Sequence, residues 1–267
     1  MPPVKSHLEI YKLLPRTNCR QCGLASCLAF AVAVMQGQRP LADCPPLPPL
    51  AEADLAMAPQ PANPLAQDQA RALEQLREQV AGLDLPAAAQ RVGGRWQDGR
   101  LLVSCLGKDF AVDQRGVITS DCHVNPWVSA PLYRYLLGSA GRPPQGTWLP
   151  LRDLPGGDDW WRLFGQRCEK PLKQVVDGYT ELLQDLVVIF AGRPAPASFD
   201  SDIAFVLNPL PLLPMLLCYW RPEDGMESDL HLFFDASAEE NLAIEAIYTL
   251  GVGMVTMFEK IARTHGR

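Results

Sequence analysis

Apolar positions recur along this chain with two different periods, and the change of period marks out its parts. Leu8, Tyr11 and Leu14 fall on one side of a short helix that Pro15 ends. A second apolar helix is expected from about Ser26 to Gln36, with Ser26 as N-cap and Gly37 just past its end. A third opens at Pro64, carries Leu65, Leu73, Leu76 and Val80 on its apolar face, and stops at Gly82. Shorter runs then predict strands over 101–105, 109–112 and 117–120, with Asp113-Gln114-Arg115-Gly116 as a turn. Pro126–Leu137 reads as a helix. From Pro171 the helical period holds through Leu172, Val175, Val176, Tyr179, Leu182, Leu183, Leu186 and Phe190, which predicts one long helix. Strands are expected near 203–207, 215–220 and 230–234. Ser237-x-x-Glu240 has the form of a capping box, opening a last helix through Ile247, Leu250, Met254, Phe258 and Ile261. Strand clusters and helices together make the fold class α+β.

Composition divides the chain further. Residues 1–47 form a small cysteine module, 48–64 a linker, and 65–267 a domain of unknown function. Seven prolines fall between 45 and 64, so this stretch should be extended and semi-rigid, reaching at most ~60 Å. The formal net charge is −6, yet residues 1–44 carry +3, which leaves −9 on the rest. An acidic body argues against nucleic acid as the main partner. The apolar stretch Ile203–Trp220 is interrupted by Pro209, Pro211 and Pro214, which argues against a membrane span. The opening residues lack the apolar core of a secretory signal, so a cytoplasmic location is expected. In that reducing compartment eight cysteines favour metal ligands or buried thiols over disulfides.

The chemistry concentrates in Cys19, Cys22, Cys27 and Cys44, spaced C-x2-C-x4-C-x16-C and followed by Pro45. Three close thiols plus one returning from a short helix suit a [4Fe–4S] cluster, whereas zinc sites usually come as two close pairs. A zinc site and four unrelated buried thiols remain as alternatives. Gly23 would let the backbone bend around a bulky cage. Cys27 would begin a helix whose amides and dipole favour an anion. Arg16 and Arg20 would favour thiolates and offset cluster charge.

The run Leu14-Pro15-Arg16-Thr17-Asn18-Cys19-Arg20-Gln21-Cys22-Gly23, with Ser26-Cys27-Leu28-Ala29-Phe30-Ala31 and Asp43-Cys44-Pro45, resembles a known four-cysteine [4Fe–4S] module. That module occurs in the large subunit of the corrinoid iron–sulfur protein and in one of the iron–sulfur components of the Rnf electron-transport complex. The resemblance covers about residues 4–47 and implies that all four cysteines ligate one cubane that transfers single electrons. Residues near 100–262 resemble a family often joined to this module in anaerobic bacteria. The matching features are Trp148 with Arg152-Asp153-Leu154-Pro155-Gly156-Gly157, the tract Asp202–Trp220, and Leu232-Phe233-Phe234-Asp235. That second resemblance implies no activity.

Other residues are weaker candidates. Cys105, Cys168 and Cys218 read as buried structural thiols. Asp121-Cys122-His123 offers a thiol–imidazole pair or three ligands, though a plain loop accounts for it too. Trp160-Trp161 should start a helix with one ring buried. Gly251-x-Gly253 suits close helix packing better than a nucleotide loop. Asp200, Asp202, Glu223, Asp224 and Asp235 are accounted for by loop solvation or capping. The expectation is an iron–sulfur protein exchanging single electrons with a redox partner protein. Two other classes stay open: an enzyme whose large domain holds a substrate or cofactor pocket, and a cluster-based sensor or assembly factor.

Overall fold

A computed structural model describes residues 7–35, 39, 41–47, 64–179, 181–196 and 199–265. The chain divides into two compact units between Arg71 and Ala72. Gly37 and the linker residues 48–63, with their expected roles, lie outside the described residues.

In the first unit, α1 (His7–Leu13) packs against α2 (Cys27–Met35). Ile10, Leu14, Phe30, Ala31, Val34 and Leu41 form a small core with Cys27 and Cys44. Leu8, expected on the buried face of α1, is instead exposed, and Ile10 takes that place.

The second unit is α+β, as the patterning predicts. The end of α3 (Pro64–Ala81) brings Val80 fully into the core, with Leu73 and Leu76 against it. The chain then forms α4 (Leu85–Arg91) and a four-stranded antiparallel meander. Its strands are β1 (Arg95–Gln97), β2 (Arg100–Cys105), β3 (Lys108–Val112) and β4 (Ile118–Thr119). The turn expected at 113–116 is held by Asp113, whose carboxylate accepts the amides of Arg115 and Val117 at 2.9 Å each. Asn125 caps α5 (Pro126–Gly138) through the amide of Trp127.

A second antiparallel sheet has the order β5-β9-β8-β7-β6. It comprises β5 (Trp148–Pro150), β6 (Arg193–Pro194), β7 (Ile203–Leu210), β8 (Leu213–Trp220) and β9 (Asp229–Asp235). Pro209 and Pro214 are accommodated where the β7–β8 register shifts, between Leu207 and Leu210, and beside the turn at Pro211 and Leu212. One face of this sheet joins the main core. The other carries a separate cluster of Val206, Leu216 and Cys218.

The long helix expected from Pro171 to Phe190 is broken. α6 (Trp161–Phe164) runs into a π-turn over Gly165–Glu169, then α7 (Lys170–Gly178), and α8 (Leu182–Ile189) starts afresh. Tyr179 leaves the helix at φ −146° and ψ 67°. Gly178, Tyr179 and Thr180 are three weak helix formers in succession. Asp177, at the break, is held by the Tyr219 hydroxyl at 2.9 Å and the Ser228 hydroxyl at 2.6 Å. Tertiary bonds there outweigh continued helical period.

The capping box at Ser237 also fails to form. Ser237 donates its hydroxyl to Asp235 at 2.7 Å, and Glu240 pairs with Arg142 at 2.9 Å. A short α9 (Ala238–Asn241) results, and the long last helix is α10 (Ile244–His265). Gly251 and Gly253 serve packing, as expected. A Cβ at Gly251 would lie 2.8 Å from the Phe164 ring, and one at Gly253 would lie 2.7 Å from Trp127 Cβ. Trp161 begins α6 and is exposed, while Trp160 packs on Tyr248 with ring centroids 5.0 Å apart.

Candidate metal centre

Three local structures present the four cysteines. Cys19 and Cys22 lie on the loop between α1 and α2, Cys27 is the first residue of α2, and Cys44 follows a 3-10 turn at Leu41–Asp43. The loop turns on left-handed residues: Arg16 (φ +58°), Asn18 (+48°), Arg20 (+61°) and Gly23 (+78°). For a residue with a Cβ this costs about 1 kcal/mol or more, and it persists where contacts enforce it. Asn18 Oδ1 accepts the amide of Cys27 at 2.8 Å. The Arg20 carbonyl accepts the amide of Gly23 at 2.9 Å. Arg16 donates to the Lys12 carbonyl at 3.2 Å and lies 5.7 Å over the Tyr11 ring.

Asn18 therefore ties the Cys19–Cys22 loop to the start of α2. Sequence reasoning did not single out this positioning residue, although Asn is the residue type that tolerates a left-handed turn and bonds nearby backbone. Gly23 is required by its torsion rather than by clearance, because a Cβ there would meet open space. Ser26 caps α2 as expected, its hydroxyl accepting the amide of Ala29 at 3.1 Å. The amides of Cys27 and Ala29 are thus occupied by side chains, in contrast to the anion-facing role expected for that first turn.

Burial is graded across the set. Cys27 and Cys44 are buried, Cys22 is intermediate, and Cys19 is exposed. The Cys19 thiol is held below its ordinary pKa by the Gln21 amide and the Thr17 hydroxyl. These donors, rather than Arg16 and Arg20, lower it. The Cys44 thiol is pushed up by burial, and then by negative charge on Cys22, Cys27 and Cys19. All three other thiols are therefore near enough for Cys44 to feel. Among the described residues, no three His, Cys, Asp or Glu side chains converge closely enough to hold a single metal ion. The four soft sulfur donors, electrostatically coupled, fit a cage that spreads its ligands.

The remaining cysteines behave as structural thiols, with one exception. Cys105, Cys168 and Cys218 are buried, and burial raises each, Cys105 to about 12. Cys122 is exposed between Asp121 and His123 on a surface loop. Asp235 corrects the solvated-loop expectation: it has no exposed surface and binds the amides of Gln145, Gly146 and Ser237. Two surface clefts open on the second unit. One, of about 850 Å³, is lined by Lys173, Asp177, Tyr219, Arg221 and Ser228 among others. The other, of about 620 Å³, includes Trp148, Arg193, Val206 and Asn208. Neither lining contains Cys122.

Residues 84–257, well over half the chain, match the family described as "Domain of unknown function (DUF3786)". The chain belongs to the DUF3786 family. Ahead of the DUF3786 domain, residues 14–46 match the family described as "Putative Fe-S cluster", a span that contains all four cysteines. The N-terminal part is thus an iron–sulfur module, as the cysteine spacing predicts. The acetyl-CoA decarbonylase/synthase complex subunit gamma of Methanosarcina acetivorans is 44% identical over 64 residues, covering 21% of this chain and 14% of that protein. The subunit gamma of Methanocaldococcus jannaschii is 47% identical over 45 residues, 17% of this chain and 9% of that protein. That of Archaeoglobus fulgidus is 47% identical over 51 residues, 19% and 11% respectively. The DUF3786 protein therefore spans only a small fraction of the length of these curated relatives. No solved structure matches it. Among its described residues, no helix is long and apolar enough to cross a membrane.

Proposed function

We propose that Cys19, Cys22, Cys27 and Cys44 hold one [4Fe–4S] cluster, and that the protein exchanges single electrons with a partner protein. In this reading 1–47 is the cluster module, 48–64 the linker and 65–267 the α+β domain. The observation that carries it is the electrostatic coupling of buried Cys44 to the other three thiols within a segment matching an iron–sulfur family. A tetrahedral zinc at about 2.3 Å from each sulfur needs thiolates roughly 3.8 Å apart, whereas a four-iron cage accepts wider spacing. Burial alone keeps Cys44 protonated, and bound iron supplies what the thiolate needs. Cys27 and Cys44 anchor the site in the module core, and exposed Cys19 leaves one corner at the surface. The similar archaeal proteins are named as subunits of a complex, which favours a protein partner.

Anaerobic purification should give a brown protein with about four irons per chain and broad absorption near about 400 nm. Cys44→Ala should abolish both. A colourless protein holding one zinc per chain would overturn the proposal. A second reading, a cluster-dependent enzyme, is favoured by the polar cleft where Lys173, Asp177, Tyr219 and Ser228 meet.

A further inference from the structure

The exposed corner of the module has a charge pattern of its own. Between Ile10 and Ala42 the sequence contains no Asp or Glu. Lys12, Arg16 and Arg20 fall in this stretch, and all three are exposed, as is Cys19. Arg20 is next to Cys19, and Arg16 is within about 11 Å of chain, close to the Debye length at about 0.1 M salt. Among the described residues, none of the three cations pairs with a carboxylate. Arg39, Arg77, Arg95, Arg134 and Arg142 all do. Arg16 is moreover fixed, its guanidinium held on the last turn of α1 by the Lys12 carbonyl and the Tyr11 ring. Unpaired, partly preorganised cations around the one exposed thiol lie on a chain whose net charge is negative.

We infer that Lys12, Arg16 and Arg20 form the docking face for electron exchange, and that it fits a redox protein presenting a carboxylate-rich surface. This rests on the cluster reading above. Cations at the rim of a small interface steer an acidic partner, raise its encounter rate and orient it toward Cys19. Three cations make a small patch for nucleic acid, whose recognition takes a strongly basic domain.

The test uses the full-length, iron-loaded chain and two small oxidants of opposite charge. Hexacyanoferrate(III) takes one electron from the reduced cluster and becomes hexacyanoferrate(II). Hexaammineruthenium(III) takes one electron and becomes hexaammineruthenium(II). No bond or proton moves in either step. The double variant Arg16→Glu/Arg20→Glu should oxidise roughly fivefold more slowly with the anionic complex and faster with the cationic one, at about 0.01 M salt. The difference should collapse as salt approaches about 0.3 M. Arg115→Glu/Arg152→Glu changes net charge equally on the other unit and serves as control. Equal effects from both double variants would show that only net charge matters and would overturn this inference alone. Chains that purify without iron would overturn the cluster reading and this inference together. As a readout independent of rate, the reduction potential should fall in the Arg16→Glu/Arg20→Glu variant more than in the control.

Discussion

Asp235 shows what a single residue decides in this fold. Burial alone would raise its carboxyl pKa, but the amides of Gln145, Ser237 and Gly146 and the Ser237 hydroxyl outweigh that and hold it below its ordinary value. A depressed folded-state pKa contributes stability that is full above the unfolded value, near about 4, and is lost as pH falls through the folded one. Asp235→Ala strands these donors and should cost about 3 kcal/mol or more, measured by urea unfolding at neutral pH. The variant should also lose part of the acid-side fall in stability. From sequence, Asp235 reads as a solvated or capping aspartate and Ser237 as an N-cap, because both preferences are local. The loop that covers Asp235 comes from Gln145 and Gly146, some ninety positions earlier, and no nearby pattern announces it. The four cysteines were legible for the opposite reason: their spacing is short enough that local turns bring them together. Asn18 was missed because its effect passes through a backbone amide nine residues away.

At the scale of elements, periodicity located most helices and strands, and failures came where tertiary bonds competed. The β7–β8 hairpin and α5 follow their apolar pattern and their caps. α4 was missed although Asp84 caps it, its carboxylate accepting the amide of Ala87 at 3.1 Å, and Pro86 lies in its first turn. Its run of Ala87-Ala88-Ala89 carries little amphipathic signal. The break at Tyr179 was missed because the apolar period continues on both sides, while Asp177 is pulled to β8 and to Ser228. Close packing of α5 against α10 depends on Gly253. Gly253→Ala places a methyl against Trp127 Cβ, which cannot swing away, and should destabilise the second unit by about 1–3 kcal/mol. Thermal unfolding checks this. Trp127→Ala should leave the defect in place because it retains the opposing Cβ, and Trp127→Gly should relieve part of it.

For the whole molecule, the two units rest on cores of very different size. The first has only a handful of buried side chains around Phe30, and domains that small usually require a metal or a cross-link. Stripping iron anaerobically with a chelator should therefore remove helical circular dichroism from α1 and α2 and open residues 7–47 to protease. The second unit should keep its own melting transition, since its core contains none of the four ligands. An unchanged module after iron loss would show that its apolar contacts suffice. The pairing of β5 with β9 gives the same division a meaning in time. Trp148 lies opposite Asp235, so this sheet cannot close until the chain has been made through β9. Cys44 precedes Asp235 by a stretch that takes roughly 10–40 s to translate at about 5–20 residues per second. The cysteine loop thus leaves the ribosome complete while the larger sheet is still missing a strand, and cluster delivery can proceed as a co-translational event with the second unit yet unfolded.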